Sequence, residues 1–377
     1  MSTAQPPASL PTPQENSVPF FWPFAAAASL VETGEEMAAR NLNFVLEAEK
    51  INFGLQPTFA TPNQVRLDLH TLRLRDYANP GATGLPTIVD APFAGHSATI
   101  ADYHRGQSLV ETLLANGVER VYVTDWKSAT PEMKDYDIDN YLAELLVCIE
   151  QLGGRVNLVG LCQGGWMSTM LAARFPDKVA RLVLAGSPID TNAGHGPIRE
   201  MAHKTPLSFY EELVAMGGGV MKGQFMLRGW KNLHPGEQYV QKYLELYEHI
   251  GDPDYLSKTE TFESWYENPV DLPGRWYLQA IEQLFKENRL AHGKFVGLGQ
   301  TLKLSDITCP LWLLAGEADD ITTREQVFRA AELFGTPAEQ VVQRLAPGGH
   351  IGLFMGARTL QEQWPEIGRW LASGSVA

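Results

Sequence analysis

The stretch from Val156 to Trp166 reads VNLVGLCQGGW, an apolar run that breaks into glycines around one reactive side chain. A short apolar run closed by glycine reads as a buried strand. Gly160, Gly164 and Gly165 then permit a sharp turn into a helix that starts near Gln163. Cys162 would stand at the tip of that strained corner, where hydrolases with this outline usually carry serine. A lone G-x-C-x-G decides little, because glycine-rich βα turns are common and a buried cysteine is more often inert packing. The fold has to come from what surrounds it.

Outward from this corner, β-rich runs alternate with helical ones. VRLDLHTLRLRDY reads as an early antiparallel pair, and PTIVDAPF, VERVYVTDW, RVNLVGLC, ARLVLAGSPID and CPLWLLAGEADD read as five further strands. HRGQSLVETLLANG and IDNYLAELLVCIEQLGG are helical and fall between them. Strands separated by helices predict an α/β fold with a mostly parallel sheet covered on both faces. The alternation stops between about Asn192 and Leu304, where aromatic-rich helical runs containing Trp230, Tyr243, Trp265 and Trp276 take over. The expected organisation is therefore a tail over residues 1–17, an N-terminal helical segment over 18–63, a core of 64–191 and 305–377, and a helical cap over 192–304.

The tail, MSTAQPPASLPTPQENS, is too rich in Pro, Ser and Gln to build a core. Behind it, Phe20, Phe21, Trp22 and Phe24 open an apolar stretch that reads either as an element packed on the domain or as a docking surface for an apolar partner. The chain carries 30 Lys+Arg against 44 Asp+Glu, a net charge of −14, which leaves no basic footprint for nucleic acid or anionic membrane. Cys148, Cys162 and Cys309 are too few and too scattered for a disulfide framework or a zinc cluster. No Lys or Arg precedes Arg40, and the apolar run from Val18 to Val31 is broken by Pro19 and Pro23, so neither a secretory signal nor a transmembrane segment is expected. These features predict a cytoplasmic protein with reduced thiols.

Two residues downstream give Cys162 its company. Asp319 follows the strand-ending Gly316 by three positions, and His350 follows VVQRLAPGG. Nucleophile, acid, histidine is the chain order of α/β-hydrolases. In that arrangement His350 takes the thiol proton and returns it to the leaving group, while Asp319 holds the imidazole tautomer. Asp320, the adjacent carboxylate, fits the spacing less well. A thiol beside a histidine and at a helix N-terminus is activated for attack on a carbonyl, so acyl transfer through a thioester is the expected chemistry. It calls for no metal or organic cofactor. The Gln163 N–H at the helix start would face the developing oxyanion. Cys148 and Cys309 read as core residues.

Further motifs carry a resemblance. DAPFAGHSATI (Asp90 to Ile100), VYVTDW (Val121 to Trp126), SPIDT (Ser187 to Thr191), DLPGRWYLQAIEQLF (Asp271 to Phe285), AGEADDI (Ala315 to Ile321) and PGGHIGLFMGAR (Pro347 to Arg358) resemble, in order, the motif series of intracellular polyhydroxyalkanoate depolymerases. The resemblance covers roughly residues 85 to 370. It implies hydrolysis of intracellular polyester, chiefly poly(3-hydroxybutyrate), through Cys162, Asp319 and His350, at the surface of polyester granules or on oligomers. It also implies a second oxyanion donor at Phe93 or Ala94, and makes His96 and Trp166 candidates for contact with substrate. His96 reads equally well as a residue that only pins its loop.

The segment CQGGWMSTMLAARFPDKV departs from that pattern. It lacks the proline usual two residues after the depolymerase cysteine and is similar to polyhydroxyalkanoate synthases of the short type that works with a second subunit. His350-Ile351-Gly352 resembles their histidine motif as well, whereas Asp319 is followed by Asp320-Ile321-Thr322-Thr323-Arg324 and not by their usual histidine and tryptophan. The motif series as a whole points to hydrolysis, with synthesis from a hydroxyacyl-CoA as the alternative. A non-catalytic granule coat is a third reading, and the complete set of triad residues argues against it.

Overall fold

The structure is a computed structural model and describes residues 35–233 and 235–373. The tail and the Phe20 to Phe24 cluster lie outside the described residues. Eight strands form one sheet: β1 (Gln64–Asp68), β2 (Leu72–Asp76), β3 (Thr87–Asp90), β4 (Val121–Trp126), β5 (Val156–Leu161), β6 (Val179–Ala185), β7 (Leu311–Gly316) and β8 (Val341–Ala346). Their order across the sheet is β1-β2-β4-β3-β5-β6-β7-β8. β2 runs antiparallel to both its neighbours, and every pair from β4 to β8 is parallel.

The central strands are buried on both faces, and successive residues divide between two cores. Leu158, Leu182 and Leu313 point into one, and Val159, Val183 and Leu314 into the other. This is the period-two geometry of a strand, here with no polar face because helices cover both sides. On the first face lie helix α3 (Ile138–Gln151), through Tyr141, Leu145 and Ile149, and helix α4 (Gln163–Arg174), through Trp166, Met167 and Met170. On the second lie α2 (Leu109–Ala115) and the C-terminal α11 (Trp364–Ala372), through Leu109, Leu113, Trp364 and Ile367. Each such fully buried side chain contributes roughly 1.5–3 kcal/mol of burial free energy.

Between β6 and β7 the chain leaves the sheet for helices α5 (Pro197–Lys204), α6 (Leu207–Met216), α7 (Gly223–Lys231), α8 (Lys242–Glu248), α9 (Pro253–Tyr266) and α10 (Gly274–Gln279). The insertion is held to the core by aromatic packing. Trp276 of α10 lies 5.6 Å from Trp166 and 5.3 Å from Phe93, ring centre to ring centre. The N-terminal helix α1 (Glu35–Glu49) packs on this insertion and not on the sheet, through Phe44 and Ala48 against Leu246. Among the described residues no helix is long and apolar enough to cross a membrane.

Candidate active site

Parallel strands release their loops at one edge of the sheet, and chemistry collects there. The loops after β3, β5, β6, β7 and β8 carry Phe93, Cys162, Gly186, Asp319 and His350 respectively.

The corner at Cys162 is strained. Its backbone sits at φ 50° and ψ −118°, a conformation a non-glycine residue rarely holds unless its surroundings impose it. The glycines explain how. A Cβ on Gly160 would collide with the Gly165 backbone, one on Gly164 with the Asp90 carbonyl, and one on Gly165 with the Ser187 hydroxyl. The strand, the helix and two neighbouring loops approach so closely that only glycine fits at those positions. Cys162 is partly exposed, whereas Gln163 and every other residue of α4 up to Ala173 are buried.

His350 and Asp319 face each other behind it. The imidazole Nδ1 lies 2.7 Å from Asp319 Oδ2, and both side chains are almost wholly buried. The other carboxylate oxygen, Oδ1, accepts the N–H groups of Ile321 (3.0 Å) and Thr322 (2.8 Å), which fixes the carboxylate plane. Burial alone would push the His350 imidazole down; the Cys162 sulfur and the Asp319 carboxylate outweigh it and hold the imidazole well above its ordinary value. With Nδ1 turned to Asp319, Nε2 is the ring nitrogen left for Cys162, whose sulfur helps to raise the imidazole. Gly186, at φ 56°, leaves room for the ring, since a Cβ there would press on His350 and Phe354. Asp320 is partly exposed and does not share this pairing. The other two thiols are raised by burial, Cys148 to about 12 and Cys309 to about 11, and stay protonated at neutral pH.

For the loop after β3 the structure separates alternatives that the sequence left open, and it places Trp166 on α4. First, the Phe93 N–H is not open to a substrate: it donates to Gln163 Oε1. The Phe93 ring is buried against Tyr141 (4.9 Å) and Trp276 (5.3 Å), so the residue is fixed at both ends. Second, His96 is a packing residue. Its ring stacks on Trp265 (4.6 Å) and Tyr266 (5.4 Å), its Nε2 meets the Tyr266 carbonyl at 3.1 Å, and burial lowers it to about 4, so it is neutral. Third, Trp166 is only 2% exposed and belongs to the core under α4, with no face turned toward a substrate. The insertion explains the last point, because Trp276 packs on the Trp166 ring at 5.6 Å and covers it.

The polar group beneath the corner has no counterpart in the sequence reading. Asp90, fully buried at the end of β3, accepts from Ser168 Oγ (3.0 Å) on α4 and from Thr124 Oγ1 (3.1 Å) on β4. Thr124 Oγ1 in turn accepts the Ala91 N–H at 3.0 Å, and Trp126 Nε1 donates to the Ala91 carbonyl at 2.8 Å. Burial raises Asp90 to about 7 despite these donors. The available signal was an acid ending an otherwise apolar strand, TIVD, where a carboxylate cannot be left without partners.

Comparison with known proteins is consistent with this arrangement. The monoacylglycerol lipase of Paleococcus ferrophilus superposes with a TM-score of 0.52 over 81% of this chain and 100% of its own, at 19% identity, which establishes the α/β-hydrolase fold. The poly(3-hydroxyalkanoate) polymerase subunit of Haloferax mediterranei is 27% identical over 84% of this chain, and the chain spans 64% of that protein's length. The corresponding subunit of Allochromatium vinosum is 26% identical over 87% of this chain and 91% of its own. The profile of the family described as "Protein of unknown function (DUF3141)" matches residues 64–369, which take in the whole sheet, the insertion and the Cys162, Asp319 and His350 positions, and the chain belongs to that family.

Proposed function

We propose that the chain is an acyltransferase of polyhydroxyalkanoate metabolism that extends polyester through a hydroxyacyl thioester on Cys162. The observation that carries this reading is the thiol of Cys162 set against a buried His350–Asp319 pair whose imidazole is held unusually basic. In the first half-reaction Cys162 Sγ attacks the carbonyl carbon of a hydroxyacyl thioester. The bond to the outgoing thiol breaks, and that thiol leaves with a proton from His350. In the second, the hydroxyl end of a growing chain gives its proton to His350 and attacks the Cys162 thioester. An ester bond forms and the thiolate returns.

Hydrolysis differs only in which oxygen attacks. The His350 and Asp319 side chains are 5% and 0% exposed, but Cys162 itself is partly exposed, so the burial of the pair leaves either attacking oxygen open. The named relatives favour synthesis over the hydrolysis to which the loop motifs pointed. Those motifs still support hydrolysis as the second reading, and the run from Asp319 to Arg324 is the feature that departs most from the synthases.

One experiment separates the readings. The purified chain is given 3-hydroxybutyryl-CoA and, in parallel, amorphous poly(3-hydroxybutyrate) granules, with Cys162→Ala as control. Cys162-dependent release of CoA with growth of polymer supports the proposal. Cys162-dependent release of soluble hydroxyacid from granules, without growth, overturns it in favour of hydrolysis. Granule binding with no turnover of either substrate removes the enzyme reading altogether.

A further inference from the structure

The loop after β3 can be accounted for N–H by N–H. Ala91 donates to Thr124 Oγ1, Pro92 has no N–H, and Phe93 donates to the Gln163 side chain. The N–H groups of Ala94 and Gly95 have no partner among the described residues. Of these two residues, Gly95 is buried under Met226, and its carbonyl is tied to the Val270 N–H at 2.8 Å. Ala94 is the partly exposed one.

Gln163 thus bears on the oxyanion site twice. Its main-chain N–H, first in α4, also has no acceptor among the described residues and lies next to Cys162. Its side-chain carbonyl reaches across to the opposite wall and holds Phe93. The orientation of the amide is dictated, because a flipped amide would set its NH2 against the Phe93 N–H. The consequence is that Nε2 is buried with no acceptor among the described residues. A buried donor left unpaired is costly, and a side chain selected for stability alone would avoid it.

We propose that the Gln163 side chain is a positioning residue that braces the loop after β3 through Phe93, so that the Ala94 N–H is the second oxyanion donor. This rests on the acyl-transfer reading of the site and deepens it. A brace is useful here because the donor must be set to within a fraction of an ångström of where the oxyanion forms. The two donors would then be coupled, since both hang on one residue adjacent to the nucleophile. Loops free to drift by about 1 Å lose much of that stabilisation.

The test is Gln163→Met, which keeps length and bulk and removes the acceptor. It exchanges one orphan donor, Nε2, for another, the Phe93 N–H, so the midpoint of urea unfolding should shift little. Acylation is followed as the burst of para-nitrophenol from para-nitrophenyl butyrate, with covalent labelling of Cys162 as the site check. The expected result is a fall of about 10- to 100-fold in the saturating burst rate, below the loss from deleting a whole oxyanion donor, with less than about 2-fold change in half-saturation. An unchanged burst rate overturns the proposal. So does a faster burst, which would mean that Gln163 occludes Phe93 and that Phe93 is the donor. A lower rate with an equally lower unfolding midpoint reduces Gln163 to a structural role and likewise overturns it. Absence of any Cys162-dependent product release by the parent chain, burst or steady, on this ester and on 3-hydroxybutyryl-CoA alike, is a different failure: it removes the acyl-transfer reading and with it the role of Gln163.

Discussion

Asp319→Asn isolates the contribution of the proposed acid, and the structure specifies how the substituted amide must lie. Asp319 Oδ1 accepts two N–H groups, a part-buried one from Ile321 and a buried one from Thr322, while Oδ2 faces His350 Nδ1 at 2.7 Å. An asparagine that turned its NH2 toward Ile321 and Thr322 would orphan both donors, at about 1–3 kcal/mol for the buried one. Its oxygen therefore keeps the Oδ1 position and its NH2 faces His350. The imidazole must then accept at Nδ1 and carry its proton on Nε2, which leaves the Cys162 proton with no acceptor. The same change removes a carboxylate that helps to hold His350 above its ordinary value. In a serine triad this substitution lowers turnover by about 10,000-fold, or about 5.5 kcal/mol at about 1.36 kcal/mol per decade. A thiol is intrinsically far more acidic than a hydroxyl and needs less help from the base. The expected loss is thus between about 100- and 10,000-fold in the single-turnover acylation rate, read from the para-nitrophenol burst. Asp320→Asn, in the same assay, should stay within about 3-fold of the parent, as surface changes generally do. Equal losses in the two variants would refute the assignment of the acid, and so would a near-parental Asp319→Asn.

Two further outcomes follow from packing and charge. Gly165→Ala places a Cβ against the Ser187 hydroxyl inside a corner with no slack, so it should lower thermal stability and acylation together, whereas Gly229→Ala, inside α7 with nothing within 4 Å of the added carbon, should raise stability by about 0.5–1 kcal/mol; calorimetric melting of both variants checks this, and a stable, active Gly165→Ala would contradict the close approach. Asp90 is raised to about 7 from an ordinary 3.8, so between those values the folded chain holds a proton that the unfolded chain releases, and this residue's contribution to stability must fall as pH rises, by up to about 4 kcal/mol; urea unfolding at both ends of that window should show Asp90→Asn losing this downward slope, and an unaltered slope would show that the carboxyl is ionised throughout.

The elements that the sequence determined by itself are those with local causes. VNLVGLCQGGW could form little except a strand, a glycine corner and a helix, because its apolar run is short and its small residues sit where backbones must touch. The five central strands were legible for the same reason, each being a brief apolar run buried on both faces, and the positions of Asp319 and His350 followed from strand-ending Gly316 and the run before Pro347. The residues around them were not legible, because their roles depend on partners distant in the chain. Phe93 and Gln163 are 70 positions apart, and only the fold brings that amide oxygen onto that N–H. His96 could touch substrate or pin a loop until Trp265 and Tyr266, about 170 residues away, packed against its ring and the Tyr266 carbonyl met its Nε2. Asp90 reads as an anomaly in an apolar strand until Ser168 and Thr124 arrive from a helix and another strand to satisfy it. Periodicity and turn chemistry act over a few residues and so can be read along the chain, whereas desolvation and hydrogen-bond pairing are settled by whichever groups the topology places within about 3 Å. For this protein that division runs through the site itself: Cys162, Asp319 and His350, the proposed nucleophile, acid and base, were picked out by their order, and the walls that would hold an oxyanion were decided by tertiary contact.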